Sequence, residues 1–123
     1  GADFNMKLHI VLCPKYRRKL LVDVIAQRLE QLLCEKSSEL EFTIHAIEVM
    51  PDHVHLFLEY DPIRCVAEIV NRLKGYTSRI LRQEFPQLRS KLPTLWSRSY
   101  YACSVGNVSE IAIRKYIEEQ KGK

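Results

Sequence analysis

This 123-residue chain lacks most of the features that would place it quickly. It has no CxxC pair: Cys13, Cys34, Cys65 and Cys103 stand far apart, which argues against a zinc site. Reduced, mostly buried cysteines in a cytoplasmic protein are the expectation. No apolar run approaches membrane-span length, so no membrane partner is expected. The N-terminus, Gly1-Ala2-Asp3, has no apolar stretch of the secretory kind, and Met6 is the candidate native start. Internal repeats, low-complexity tracts and linkers are missing, so a single domain is expected over 1–123, with a core at about 6–105.

Net charge is only +4, too mild to identify a partner. Its distribution says more. Lys15, Arg17, Arg18 and Lys19 form one basic cluster, and Arg72, Lys74, Arg79, Arg82, Arg89 and Lys91 a second, interrupted only by Glu84. The acids gather elsewhere, which favours a polyanion on one surface.

Periodicity gives the elements. Lys7 to Leu12 reads as a strand and Leu20 to Ser38 as a helix with an apolar stripe. Phe42 to Val49 returns to strand alternation, with Phe42, Ile44 and Ala46 on one face. Met50-Pro51-Asp52 is a turn, and His53 to Tyr60 closes a hairpin. Asp61 caps and Pro62 opens a helix reaching Glu84 or Phe85. Trp96 to Ser104 is a last strand; Asn107 and Glu110 resemble a capping box opening a C-terminal helix at about 107–121. The order β-α-β-β-α-β-α predicts an α+β, ferredoxin-like or RRM-like sandwich: an antiparallel sheet, two helices on one face, and an added helix carrying Tyr116.

His53 and His55 are the first candidates for chemistry. Residues i and i+2 of a strand project from the same face, roughly 7 Å apart at Cα, so two imidazoles could hold one metal ion. They could equally be solvent-facing or satisfied core histidines. Tyr116 and Gln120, four apart, share one helix face and offer a hydroxyl nucleophile and a neutral oxygen ligand, or simply a half-buried tyrosine and a surface glutamine. Lys74, Ser78 and Arg82 follow at steps of four on the second helix. With Lys15, Arg17, Arg18, Trp96 and Arg98 they are candidate contacts to single-stranded nucleic acid, stacking included. A solvated helix face and core aromatics are the plainer alternatives.

Five stretches taken together resemble a known family. They are His9-Ile-Val-Leu-Cys-Pro-Lys-Tyr-Arg-Arg-Lys19, Val49-Met-Pro-Asp-His-Val-His-Leu-Phe57, Leu73-Lys-Gly-Tyr-Thr-Ser78, Leu95-Trp96 and Arg114-Lys-Tyr-Ile-Glu-Glu-Gln120. In this order they resemble the single-tyrosine HUH transposases of the insertion-sequence 200/605 family. The resemblance implies a DNA transposase with His53, His55 and Gln120 as ligands of a Mg²⁺ or Mn²⁺ ion. Tyr116 would cut single-stranded DNA, staying joined to the 5′ phosphate. It further implies hairpin-containing element ends as substrate and a homodimer with composite active sites. A domesticated palindrome-processing relative is one rival. A non-catalytic nucleic-acid-binding module, with Phe57 and Tyr101 stacking bases, is the other.

Overall fold

The computed structural model describes residues 5–91, 93–104 and 110–123. Its elements are β1 (Met6–Leu12), α1 (Asp23–Leu40), β2 (Thr43–Met50), β3 (His53–Tyr60), α2 (Val66–Glu84), α3 (Gln87–Lys91), β4 (Tyr101–Ser104) and α4 (Glu110–Glu119). The four strands form one antiparallel sheet in the order β2-β3-β1-β4. This is the ferredoxin-like arrangement that the sequence predicts.

Period-two alternation divides the sheet into two faces. Leu8, Ile10, Leu12, Val54, Leu56 and Leu58 are buried on one side, in a common core with Ile25, Leu29, Leu32 and Leu33 of α1 and Ile69, Val70 and Leu73 of α2. His9, His53, His55 and Phe57 therefore point to the opposite side.

The structure departs from the sequence reading at several points, the first helix running Asp23–Leu40 in place of Leu20 to Ser38. The helix after Asp61-Pro62 starts only at Val66. Asp61 instead accepts from the Ile63 amide at 3.0 Å, a local turn that competes with helix. The predicted strand from Trp96 to Ser104 is broken. Trp96 makes an isolated bridge to Pro14, and regular pairing resumes only at Tyr101. In β2 a register shift between Ile44 and Ala46 inserts a bulge. Ile44, Ile47 and Val49 pack on the core, while Ala46 is exposed on the histidine side. A bulge adds one residue to one strand and so reverses its alternation, which strict periodicity cannot anticipate.

All four cysteines are free, but only Cys13 is buried; Cys34 and Cys65 are exposed and Cys103 is intermediate. The expectation of mostly buried cysteines is corrected accordingly. Burial, with the Asp52 carboxylate adding, pushes the Cys13 thiol up to about 12, which makes it an inert core residue. The Asn107 capping box lies outside the described residues.

Candidate active site

His53 and His55 stand side by side on the open face of β3, both half-buried. Each ring has a partner. His53 Nδ1 lies 2.9 Å from Asp52 Oδ1. His55 Nε2 lies 2.8 Å from Nδ1 of His9 on the neighbouring strand. His9 in turn stacks on Phe57, with ring centroids 4.8 Å apart. Burial, with His9 and His53 nearby, holds the His55 imidazole below its usual value, against the opposing pull of Glu48. A neutral imidazole keeps a lone pair for a metal.

Helix α4 crosses this same face. Ile113, Arg114 and Ile117 line a cavity of about 360 Å³ with Glu48, His53 and His55. Tyr116 and Gln120 point elsewhere along the helix. Ser99 Oγ bonds both, at 3.0 Å from the Tyr116 hydroxyl and 3.2 Å from Gln120 Oε1. Tyr101 packs against the Tyr116 ring at 5.9 Å. Burial raises the Tyr116 hydroxyl above its ordinary pKa, partly offset by its hydrogen bonds to Ser99 and Ser97. Gln120 is buried, at 3% exposure.

The structure therefore brings the predicted residues together in two groups. The first is the histidine pair. The second is Tyr116 and Gln120, beside a cleft of about 350 Å³ lined by Lys15, Arg98, Ser99, Gln120 and Lys123 among others. Gln120 does not join the histidines in this arrangement. No cluster of three His, Cys, Asp or Glu side chains suited to a metal occurs among the described residues. The two imidazoles fit a divalent ion as a partial donor set. His53 gives one nitrogen to Asp52 and keeps Nε2 available, His55 has Nε2 engaged by His9 and keeps Nδ1, and a third ligand would have to come from elsewhere.

Four of the basic and aromatic candidates are bound to other parts of the fold. Lys74 Nζ donates to the carbonyls of Ser97, Arg98 and Ser99 at 2.8, 3.1 and 3.1 Å. It anchors the segment that carries Ser99. Arg82 donates to the Pro93 carbonyl at 3.0 Å. Arg17 pairs with Asp52 at 3.1 Å and Glu118 at 3.3 Å. Trp96 is core, 5% exposed, and its indole N–H donates to Thr77 Oγ1 at 2.9 Å. Arg18 and Arg98 are exposed, and Lys15 and Ser78 are intermediate. Phe57 and Tyr101, the proposed stacking pair, are engaged by His9 and Tyr116.

Sequence reasoning missed His9, Asp52 and Ser99 as parts of the site. Asp52 directly precedes His53, so a carboxylate partner was within reach of a local reading. His9 and Ser99 meet the site through strand register and an irregular loop, which leave no short-range signal.

Fold and site together define a class: an antiparallel α+β sandwich with paired histidines on its open sheet face and a tyrosine-bearing helix laid across them. The family model described as "Transposase IS200 like" matches residues 2–120, and the chain belongs to that family. It is thus a transposase, an enzyme acting on DNA. The ISDra2 transposase TnpA of Deinococcus radiodurans is 35% identical over all of this chain and 89% of its own length. The transposase for insertion sequence element IS200 of Salmonella typhimurium is 32% identical over 95% of this chain and 78% of its own. A crystal structure of a candidate transposase from Deinococcus radiodurans R1 superposes with a TM-score of 0.90 at 33% identity, covering 100% of this chain and 96% of that one. A REP-associated tyrosine transposase bound to a REP hairpin shares the fold, with a TM-score of 0.62 at 14% identity, covering 96% of this chain and 67% of that one. No helix among the described residues is long and apolar enough to cross a membrane.

Proposed function

We propose that this transposase cleaves and rejoins single-stranded DNA at insertion-sequence ends, with Tyr116 as nucleophile and a divalent ion held by His53, His55 and Gln120. The observation that carries the reading is the histidine pair on the open sheet face, with the tyrosine helix laid over that same face. The hairpin bound by the REP-associated relative supports a folded single strand as substrate.

Tyr116 attacks the phosphorus. A tyrosyl–phosphate bond forms to the 5′ side, and the bond to the 3′ oxygen breaks. The phenol's lost proton is balanced by the one the 3′ hydroxyl takes up. Attack by a 3′ hydroxyl reverses the exchange, so bond energy is conserved without nucleotide hydrolysis. The ion, when bound, offsets charge on the phosphate and positions the cleaved end. Two imidazoles and an amide suit Mn²⁺, Co²⁺ or Zn²⁺ better than Mg²⁺, which prefers oxygen.

Incubation with single-stranded element-end DNA and Mn²⁺ is expected to give a protein–DNA adduct that survives denaturation. Tyr116→Phe abolishes it; an undiminished adduct in that variant sinks the assignment.

Lys15 and Arg98 flank the cleft beside Tyr116 and are the best-placed phosphate contacts. Replacing either with Met is expected to lower the slope of log affinity against log salt by about 1. Lys74→Met should leave that slope unchanged and lower the denaturation midpoint, because its ammonium serves three carbonyls. A slope reduced by Lys74→Met would return this residue to the DNA.

A further inference from the structure

We propose that Asp52 and Arg17 are positioning residues that fix the ring of His53 and tie it to the tyrosine helix. Asp52 has two oxygens, and each has one task. Oδ1 lies 2.9 Å from His53 Nδ1, and Oδ2 lies 3.1 Å from Arg17 Nε. A carboxylate paired with a guanidinium only accepts, so the proton belongs to His53 Nδ1. His53 is therefore held as the Nδ1–H tautomer, with Nε2 left as its ligand atom.

The other end of the guanidinium reaches α4. Arg17 Nη1 donates to the Ile117 carbonyl at 3.3 Å and pairs with Glu118 at 3.3 Å. These contacts fall between Tyr116 and Gln120. The Arg17 side chain is 11% exposed and Asp52 19%, so the pair is not a solvated surface bridge. The backbone is also committed to it. Tyr16 and Arg17 have φ of 60° and 52°, two consecutive non-glycine residues in the left-handed region. Such strain persists only where the surroundings hold it. One side chain thus spans from the turn before His53 to the helix carrying Tyr116. The orientation of the imidazole and the docking of the helix are coupled, and coupling of this kind acts in both directions.

The metal arm of the test rests on the function proposed above; the other two arms do not. Imidazole ¹⁵N shifts of the metal-free protein, assigned against His53→Gln, report the tautomer. Amide exchange at residues 116–120 reports helix docking, and Mn²⁺ affinity is read by electron paramagnetic resonance. Asp52→Ala is expected to give mixed His53 tautomers, faster exchange at 116–120 and a loss of Mn²⁺ affinity of about 10–100-fold. Asp52→Asn removes the charge that pairs with Arg17 and replaces one acceptor oxygen with a donor NH2. Its amide can turn the oxygen to Arg17 and the NH2 to His53 Nδ1, so the Nδ1–H tautomer should be lost and, with the ion pair gone, the helix amides should exchange faster. Arg17→Gln leaves Asp52 accepting from His53 and should speed helix exchange while keeping the tautomer. Unchanged exchange at Ile10 and Leu56 shows that each variant is folded, and if Asp52→Ala fails this check the Asn and Gln variants decide. A His53 that stays wholly Nδ1–H in Asp52→Ala, or helix exchange unmoved in Asp52→Asn and Arg17→Gln, overturns the proposal. Wild-type protein without Mn²⁺ affinity, or His53→Ala with full affinity, sinks the metal reading alone.

Discussion

Tyr116→Phe chains mixed with His53→Ala chains are expected to recover the denaturation-resistant DNA adduct that neither variant forms alone. Within one chain, Tyr116 and Gln120 are bonded to Ser99 and do not line the cavity over the histidines. The proposed ligand set would place Gln120 beside His53 and His55, and the helix of a second subunit would be the simplest source. In a mixed dimer, the intact histidines of one chain would meet the intact tyrosine of the other, giving one working site of two. The measurement is adduct yield on labelled single-stranded DNA with Mn²⁺, in heterodimers verified by two affinity tags. No recovery in such heterodimers rejects the shared site and leaves a site completed within one chain by repositioning of α4.

Trp96→Ala is expected to cost about 3–5 kcal/mol, the range for removing a large buried aromatic. That is a large part of the roughly 5–15 kcal/mol by which a domain is stable. Trp96 packs in the main core and donates to Thr77, whose own hydroxyl donates to the Leu73 carbonyl at 2.7 Å. Neighbouring backbone bonds, Lys15 N–H to Leu95 and Ser97 N–H to Cys13, fasten the same segment to the end of β1. Removing the indole opens a cavity and frees the segment that leads to Ser99. Trp96→Phe keeps most of the volume and should cost less, since it forfeits mainly one hydrogen bond worth about 0.5–1.5 kcal/mol. Urea or guanidinium unfolding followed by circular dichroism gives both values. Lost DNA binding at unchanged stability in Trp96→Ala would instead make this tryptophan a base-stacking residue.

Much of the fold is legible because local patterns and global packing agree. Val54, Leu56 and Leu58 alternate with His53, His55 and Phe57, and this alternation alone assigns the two faces of β3. Elsewhere a short-range preference meets a competing interaction. Asp61-Pro62 has the chemistry of a helix start, but Asp61 satisfies a nearby amide in a turn, and the helix waits until Val66. Trp96 carries the aromatic character of a stacking residue, and burial decides otherwise. Lys74 shows the limit most clearly. Its charge is visible in the sequence, but the three carbonyls that receive it lie more than twenty residues away in an irregular segment. For the site, the histidine pair and the Tyr116–Gln120 spacing are readable because strand and helix geometry set them. The Ser99 bridge and the His9 contact depend on how distant segments meet.

The irregularity in β2 has a consequence for how the protein tolerates change in chain length. Because the strand changes phase between Ile44 and Ala46, it behaves as two half-strands whose faces are set independently. A one-residue deletion there would remove the phase change and set the two halves in strict alternation. With the extra residue gone, Ile44 and Ile47 would stand two apart, so Phe42, Ile44, Ile47 and Val49 would all keep facing the helices; a full-length strand without the bulge would instead turn Ile47 and Val49 outward. The spare residue is in effect an adjustable joint. It lets the strand carry one residue more than the ladder pairs, with Ile44 and Ile47 both on the core and Glu48 still opposite His55.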